Sequence, residues 1–142
     1  MDIQEIIDRQ VRVMRKASFD KSGQLTIGQL IEQLKLVRDK SAYVRFNFGY
    51  MRPKQIESWR GSYSELAIGY SEDGGEESVK DFIERLKKCI GKTYCGYKGG
   101  DFYMTENTPI WVANHGESGD TAVFGVSDHN FFVVIETGYC EF

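Results

Sequence analysis

Apolar residues recur at helical spacing near the N-terminus. Ile3, Ile6, Ile7, Val11 and Met14 predict an amphipathic helix over residues 2–17. After the break SFDKSGQ, the run Leu25-Thr26-Ile27-Gly28-Gln29 carries a capping threonine and a glutamine placed to close a capping box. A second helix should follow through Leu30, Ile31, Leu34 and Val37. The period then changes to two: Val44, Phe46 and Phe48 alternate with Arg45 and Asn47, the pattern of a half-buried strand. Residues 49–61 contain Pro53 and show no clear period, so they are expected to form a long functional or irregular loop. Tyr63 to Tyr70 reads as the next strand, and SEDGGEE as a surface loop. Ser78 is placed to cap a helix that buries Val79, Phe82, Ile83, Leu86 and Ile90 and stops at Gly91. From Lys92 onward short strands are predicted at 93–97, 101–105, 109–113, 121–126 and 131–137, with SDHN as a hairpin turn between the last two.

These elements predict one α+β domain over residues 1–142 with a mostly antiparallel sheet. About three helices are expected, two N-terminal and one mid-chain, followed by a C-terminal β-meander. The first of them, within residues 1–22, has a narrow apolar stripe and a charged face (Asp2, Glu5, Asp8, Arg9, Arg12, Arg15). That face suits either a helix lying on the sheet or an association surface.

Composition adds 15 glycines, 13 % aromatics and only 2 prolines, which fits a turn-rich β region. No apolar run reaches the ~20 residues needed to span a bilayer, and the charged N-terminus lacks a signal-peptide core. A cytoplasmic protein with no membrane partner is therefore expected. Cys89, Cys95 and Cys140 are irregularly spaced, which suits reduced thiols. The net charge of −3 argues against coating bulk nucleic acid. The distribution is uneven: Arg38, Lys40, Arg45, Arg52, Lys54 and Arg60 face only Asp39 and Glu57, and seven acids but no Lys or Arg lie beyond Lys98. An anion site would draw its cations from the middle of the chain.

Gly91-Lys92-Thr93 looks like the end of a P-loop, but Leu86 stands where the first glycine belongs, and the motif ends a helix. Gly96-Tyr97-Lys98-Gly99-Gly100 suits an anion nest of backbone N–H groups, or a hairpin turn with a solvated lysine. In Ser58-Trp59-Arg60-Gly61-Ser62-Tyr63, an arginine between two aromatics can grip phosphate while Trp59 or Tyr63 stacks on a base. Alternatively, Arg60 pairs with Glu57 or Glu65 and Trp59 fills the core. His115 and His129 lack zinc-motif spacing, and Glu117, Asp120 and Asp128 read as turn carboxylates. No metal site and no cofactor are expected.

Val44-Arg45-Phe46-Asn47-Phe48-Gly49, the Ser58–Ala67 run, and Gly91-Lys92-Thr93 with Gly96–Gly100 resemble segments of a family of small bacteriophage and prophage proteins. Met104-Thr105, Thr108–Ala113 and Gly116-Glu117 extend the resemblance, which runs from about Leu25 to the C-terminus. The resemblance implies a phage-encoded accessory protein acting in the bacterial cytosol. The resulting expectation is a non-enzymatic, homo-oligomeric protein that sequesters a small nucleotide-derived anion, such as a cyclic oligonucleotide or a cyclic ADP-ribose variant. Arg45, Arg60 and Lys98 would neutralise phosphate, Trp59, Tyr63 and Tyr97 would stack on the base, and Gly99 and Gly100 would offer backbone donors. The alternatives are a module that binds and inhibits a host protein, with Trp59 and Arg60 as anchors, and a small nucleotide hydrolase or transferase using His115, Glu117 or Asp120.

Overall fold

The computed structural model describes residues 23–59, 62–95, 100–113 and 121–140. Helix α1 (Ile27–Lys35) starts at Thr26, whose hydroxyl accepts the Gln29 N–H at 3.2 Å while the Gln29 side chain accepts the Thr26 N–H at 3.0 Å. Its spacing of apolar residues puts Ile27, Leu30, Ile31 and Leu34 on one buried face. Helix α2 (Val79–Cys89) is capped by Ser78, which accepts the Asp81 N–H at 3.2 Å. Gly91, with φ +85°, then turns the chain away in a conformation that favours glycine.

Eight strands complete the described residues: β1 (Tyr43–Phe46), β2 (Arg52–Trp59), β3 (Ser62–Ser71), β4 (Thr93–Cys95), β5 (Asp101–Tyr103), β6 (Ile110–Val112), β7 (Thr121–Asp128) and β8 (Phe132–Tyr139). Six form a mixed sheet in the order β1-β8-β7-β6-β3-β2, and β4 pairs with β5 alone. The sheet curls until its end strands approach, with the Phe46 N–H donating to the Met51 carbonyl at 2.8 Å. The link between them is a type I′ turn: Gly49 (φ +59°) and Tyr50 (φ +49°) occupy the corner, and the Met51 N–H returns to Phe48 O at 3.2 Å.

This arrangement corrects the expected architecture. Among the described residues there are two helices, not three; the helix expected over 2–17 lies outside them. The C-terminal strands do not make a meander. β4 and β5 leave the main sheet, β6 runs parallel to β3, and β8 runs parallel to β1. Alternation marks the face that a strand buries but not its neighbour, and α2 with β4 and β5 supplies the long crossover that a parallel β3–β6 pair requires. Residues 49–61 do not form an irregular loop either, because β2 occupies most of them. Pro53 is tolerated because β2 ends the sheet and its ladder with β3 slips between Pro53 and Ile56.

The inner face of the sheet meets both helices. Val44, Phe46, Leu66, Ile68, Ile110, Val112, Val133 and Ile135 pack with Leu30, Leu34, Phe82 and Leu86 in the main core. A second, smaller cluster of Trp59, Ala67, Trp111, Ala122, Phe124 and Cys140 is also buried. It follows from alternation, since Ala67 and Trp111 point away from the neighbours that fill the main core. No helix among the described residues is long and apolar enough to cross a membrane.

Candidate functional site

Arg45, expected to neutralise a ligand phosphate, is already engaged. Its side chain is 8 % exposed, and Nη2 donates to Glu76 Oε1 at 2.5 Å. Nη1 donates to the Val44 carbonyl at 3.1 Å, and the guanidinium carbon lies 5.1 Å from the centroid of the Phe132 ring. Arg52 reaches the same carboxylate oxygen through Nε at 3.0 Å and Nη2 at 2.7 Å. Glu76 thus ties β1 to β2 across the seam of the sheet, while the Val44 N–H donates to Glu77 O at 2.9 Å. The hydrogen bond from Arg45, reinforced by Arg52, holds the Glu76 carboxyl below its ordinary range against the opposing effect of burial. The acidic segment is therefore a clasp as well as a surface loop.

Trp59 is not a ligand platform. Its ring is buried and stacks on Trp111 with centroids 3.7 Å apart and planes within 6°. Trp111 donates its indole N–H to Glu65 Oε1 at 2.9 Å, giving the buried polar edge a partner. Of the two readings of this segment, Trp59 follows the core-filling one.

Tyr63 is half-buried, with its ring 6.0 Å from that of Phe102. Gly100 has φ +86°, and a Cβ built on it would come within 3.9 Å of the same Phe102 ring. The two expected segments therefore meet at Phe102 through their described ends. Arg60, Tyr97, Lys98 and Gly99 lie outside the described residues, as do His115, Glu117 and Asp120. Arg45 does not join this end: it sits beside Arg52 at the start of β2, and a strand of 8 residues places Trp59 roughly 20 Å further along. One site built from all the expected residues is thus not assembled.

A different concavity forms between the loop after α1 and the β7–β8 turn. It has a volume of about 360 Å³ and is lined by Arg38, Asp39, Lys40, Asp128, Asn130 and Phe131. Asp128 fixes both walls, accepting the Arg38 N–H at 3.0 Å on one oxygen and the Asn130 N–H at 3.1 Å on the other. Asn130 adopts φ +71°, a conformation its side chain tolerates, and the His129 N–H closes the turn onto Phe132 O at 2.9 Å. Asp39 receives the Ser41 hydroxyl at 2.5 Å and its N–H at 2.9 Å, which lowers its pKa. The Lys40 ammonium donates to the Val37 carbonyl. Arg38 is exposed, and its guanidinium forms no ion pair among the described residues. Phe131 stands at the rim, 82 % exposed.

Two other clefts offer less. The one at the start of α1, about 480 Å³, is lined by Thr26, Gly28, Gln29 and Glu106. Its backbone donors are occupied, Ile27 on Thr108 O and Gly28 on Glu106 O, both at 2.9 Å. The one beside α2, about 430 Å³, holds Arg85 gripped by Glu77 at 2.7 and 2.8 Å. Among the described residues no group of three His, Cys, Asp or Glu side chains is placed to hold a metal. No disulfide joins Cys89, Cys95 and Cys140. Tyr94 donates its hydroxyl to Cys89 Sγ at 3.4 Å, and burial with this contact raises its pKa well above the ordinary phenol range.

Sequence reasoning missed Arg38 and Phe131 as a pair. The available signal was Phe131-Phe132 directly after a turn, a pair of which alternation lets at most one face the core. No family model, no curated protein and no solved structure matches this chain.

Proposed function

We propose that this chain is a non-enzymatic binding module for a small nucleotide-like anion, seated between Arg38 and Phe131. The observation that carries the reading is an 82 % exposed phenylalanine beside an arginine with no ion-pair partner among the described residues, in one concavity. A base stacks on the Phe131 ring, and Asn130 faces its polar edge. Phosphate meets the Arg38 fork, because the two carboxylates of the cleft already accept N–H and O–H donors. A volume of about 360 Å³ lies near the low end of small-molecule sites, about 300–1,000 Å³. In a phage-encoded setting, the one its sequence resembles, such a module sequesters a host nucleotide signal in the bacterial cytosol.

The test is a thermal-shift screen against mononucleotides, cyclic di- and trinucleotides and cyclic ADP-ribose variants. A binder at a hundredfold excess over Kd stabilises the folded protein by about 2.7 kcal/mol. Arg38→Ala and Phe131→Ala should each abolish the shift, with the ligand recovered unchanged. A shift lost in Arg60→Ala but kept in Arg38→Ala would move the site to the Trp59–Tyr63 segment. Turnover of the nucleotide would refute the non-enzymatic reading.

A further inference from the structure

Beside the cleft, the outer side of β1 and β8 carries an aromatic face that stays exposed among the described residues. Tyr43 and Phe132 are register partners in parallel strands, so their side chains share one side of the sheet. The Tyr50 ring packs edge-on against Phe132 at 6.4 Å, and Arg45 lies over the same ring. Tyr43, Tyr50 and Phe132 are all exposed large hydrophobics. At 150–250 Å² per fully exposed aromatic they offer roughly 300 Å², at the lower end of the patches that are often functional on monomers. Tyr50 is held there against its own backbone preference: φ +49° suits Gly or Asn, and the left-handed region costs other residues about 1–2 kcal/mol.

We infer that this face is the contact between two copies of the chain. The charges around it carry both signs. Arg45 and Arg52 share Glu76, Arg38 and Lys40 stand beside Asp39, and Glu136 lies further along β8. A strongly acidic or basic partner meets no field of a single sign here. A two-fold contact, in contrast, sets each patch against its own duplicate and needs a patch complementary to itself. An aromatic centre with a charge-balanced rim meets that condition. The area is below the ~800 Å² per partner of a standard stable interface, so the dimer is reversible. This inference does not rest on the ligand reading, because Tyr43 and Tyr50 do not line the cleft.

Sedimentation equilibrium from micromolar to millimolar protein tests it. The mass of the parent chain should rise from 16.3 kDa toward twice that value. Tyr50→Gly removes the ring at a position where glycine is unstrained, so it leaves the fold intact and should weaken association by about tenfold or more. Tyr43→Ser should act in the same direction, and Glu32→Gln, on the exposed side of α1 across the sheet from this face, should leave association unchanged. A parent chain that stays monomeric at millimolar concentration overturns the inference, including the case where the face binds a different protein. Association that survives both tyrosine substitutions overturns it as well.

Discussion

Glu76→Gln is the most informative single change to the fold. It keeps the shape of the side chain and an acceptor oxygen but removes the charge that two arginines share. Arg45 is the partner that suffers, because its side chain is 8 % exposed and water cannot replace the lost carboxylate. Breaking a fully buried pair costs about 3–5 kcal/mol. Here the Glu76 and Arg52 side chains are 30 % and 26 % exposed, so solvent screens part of the field. Charge-assisted hydrogen bonds are worth about 1.5–3 kcal/mol, and the expected loss is about 2–3 kcal/mol. Urea unfolding at neutral pH measures it: with m near 2 kcal/mol per molar, the midpoint should fall by roughly 1–1.5 M at unchanged m. Glu57→Gln, an exposed carboxylate on β2, is the control and should move the midpoint little. A Glu76→Gln variant within about 0.5 kcal/mol of the parent, the usual range for surface changes, would refute the clasp as a stabilising element.

The same carboxylate sets a pH dependence. Its folded pKa lies below the ordinary 4.5, so its stabilisation is complete above that value and is lost as pH falls through the depressed one. Urea midpoints measured from pH 6 to pH 3 should drop less in Glu76→Gln than in the parent. Trp111→Ala removes the ring stacked on Trp59 and strands the Glu65 carboxylate, so calorimetry should report a loss of about 3–5 kcal/mol. Thr26→Ala takes away the cap of α1 and should cost about 1 kcal/mol by chemical denaturation. Tyr50→Gly should raise stability by about 0.5–1 kcal/mol by relieving the left-handed strain, which urea unfolding of the variant will show.

Local signals in the sequence were legible and tertiary neighbours were not. Thr26 with Gln29 and Ser78 act through bonds within a few residues, Gly91 acts through its own positive φ, and each marks its helix end as expected. The SDHN turn works the same way, through Asp128 and Asn130. Strand β2 was hidden because Pro53 and a ladder slip erase its period. Alternation separated Arg45 from Val44 and Phe46 but did not show that it is buried, and nothing near it in the chain announces Glu76, 31 positions away. Trp59 illustrates the same limit: an aromatic beside an arginine looks like a binding group until its partner Trp111 is known. Arg38 and Phe131 come together only because Asp128 bonds across 90 positions.

The parallel pairing of β1 with β8 also governs how the chain can be made. Asn47, just after β1, bonds Glu136 across 89 positions, so the first strand described waits for the last before it gains its neighbour. On a ribosome the early residues therefore emerge with a hydrophobic strand, Val44 and Phe46, whose ladder partner β8 is the last strand described. Such long-range closure slows folding and lengthens the time during which an unpaired edge can find another nascent chain. Synthesis in bulk should therefore depend on chaperones, and a chain cut before Phe132 should leave β1 without its parallel partner and be degraded or aggregate.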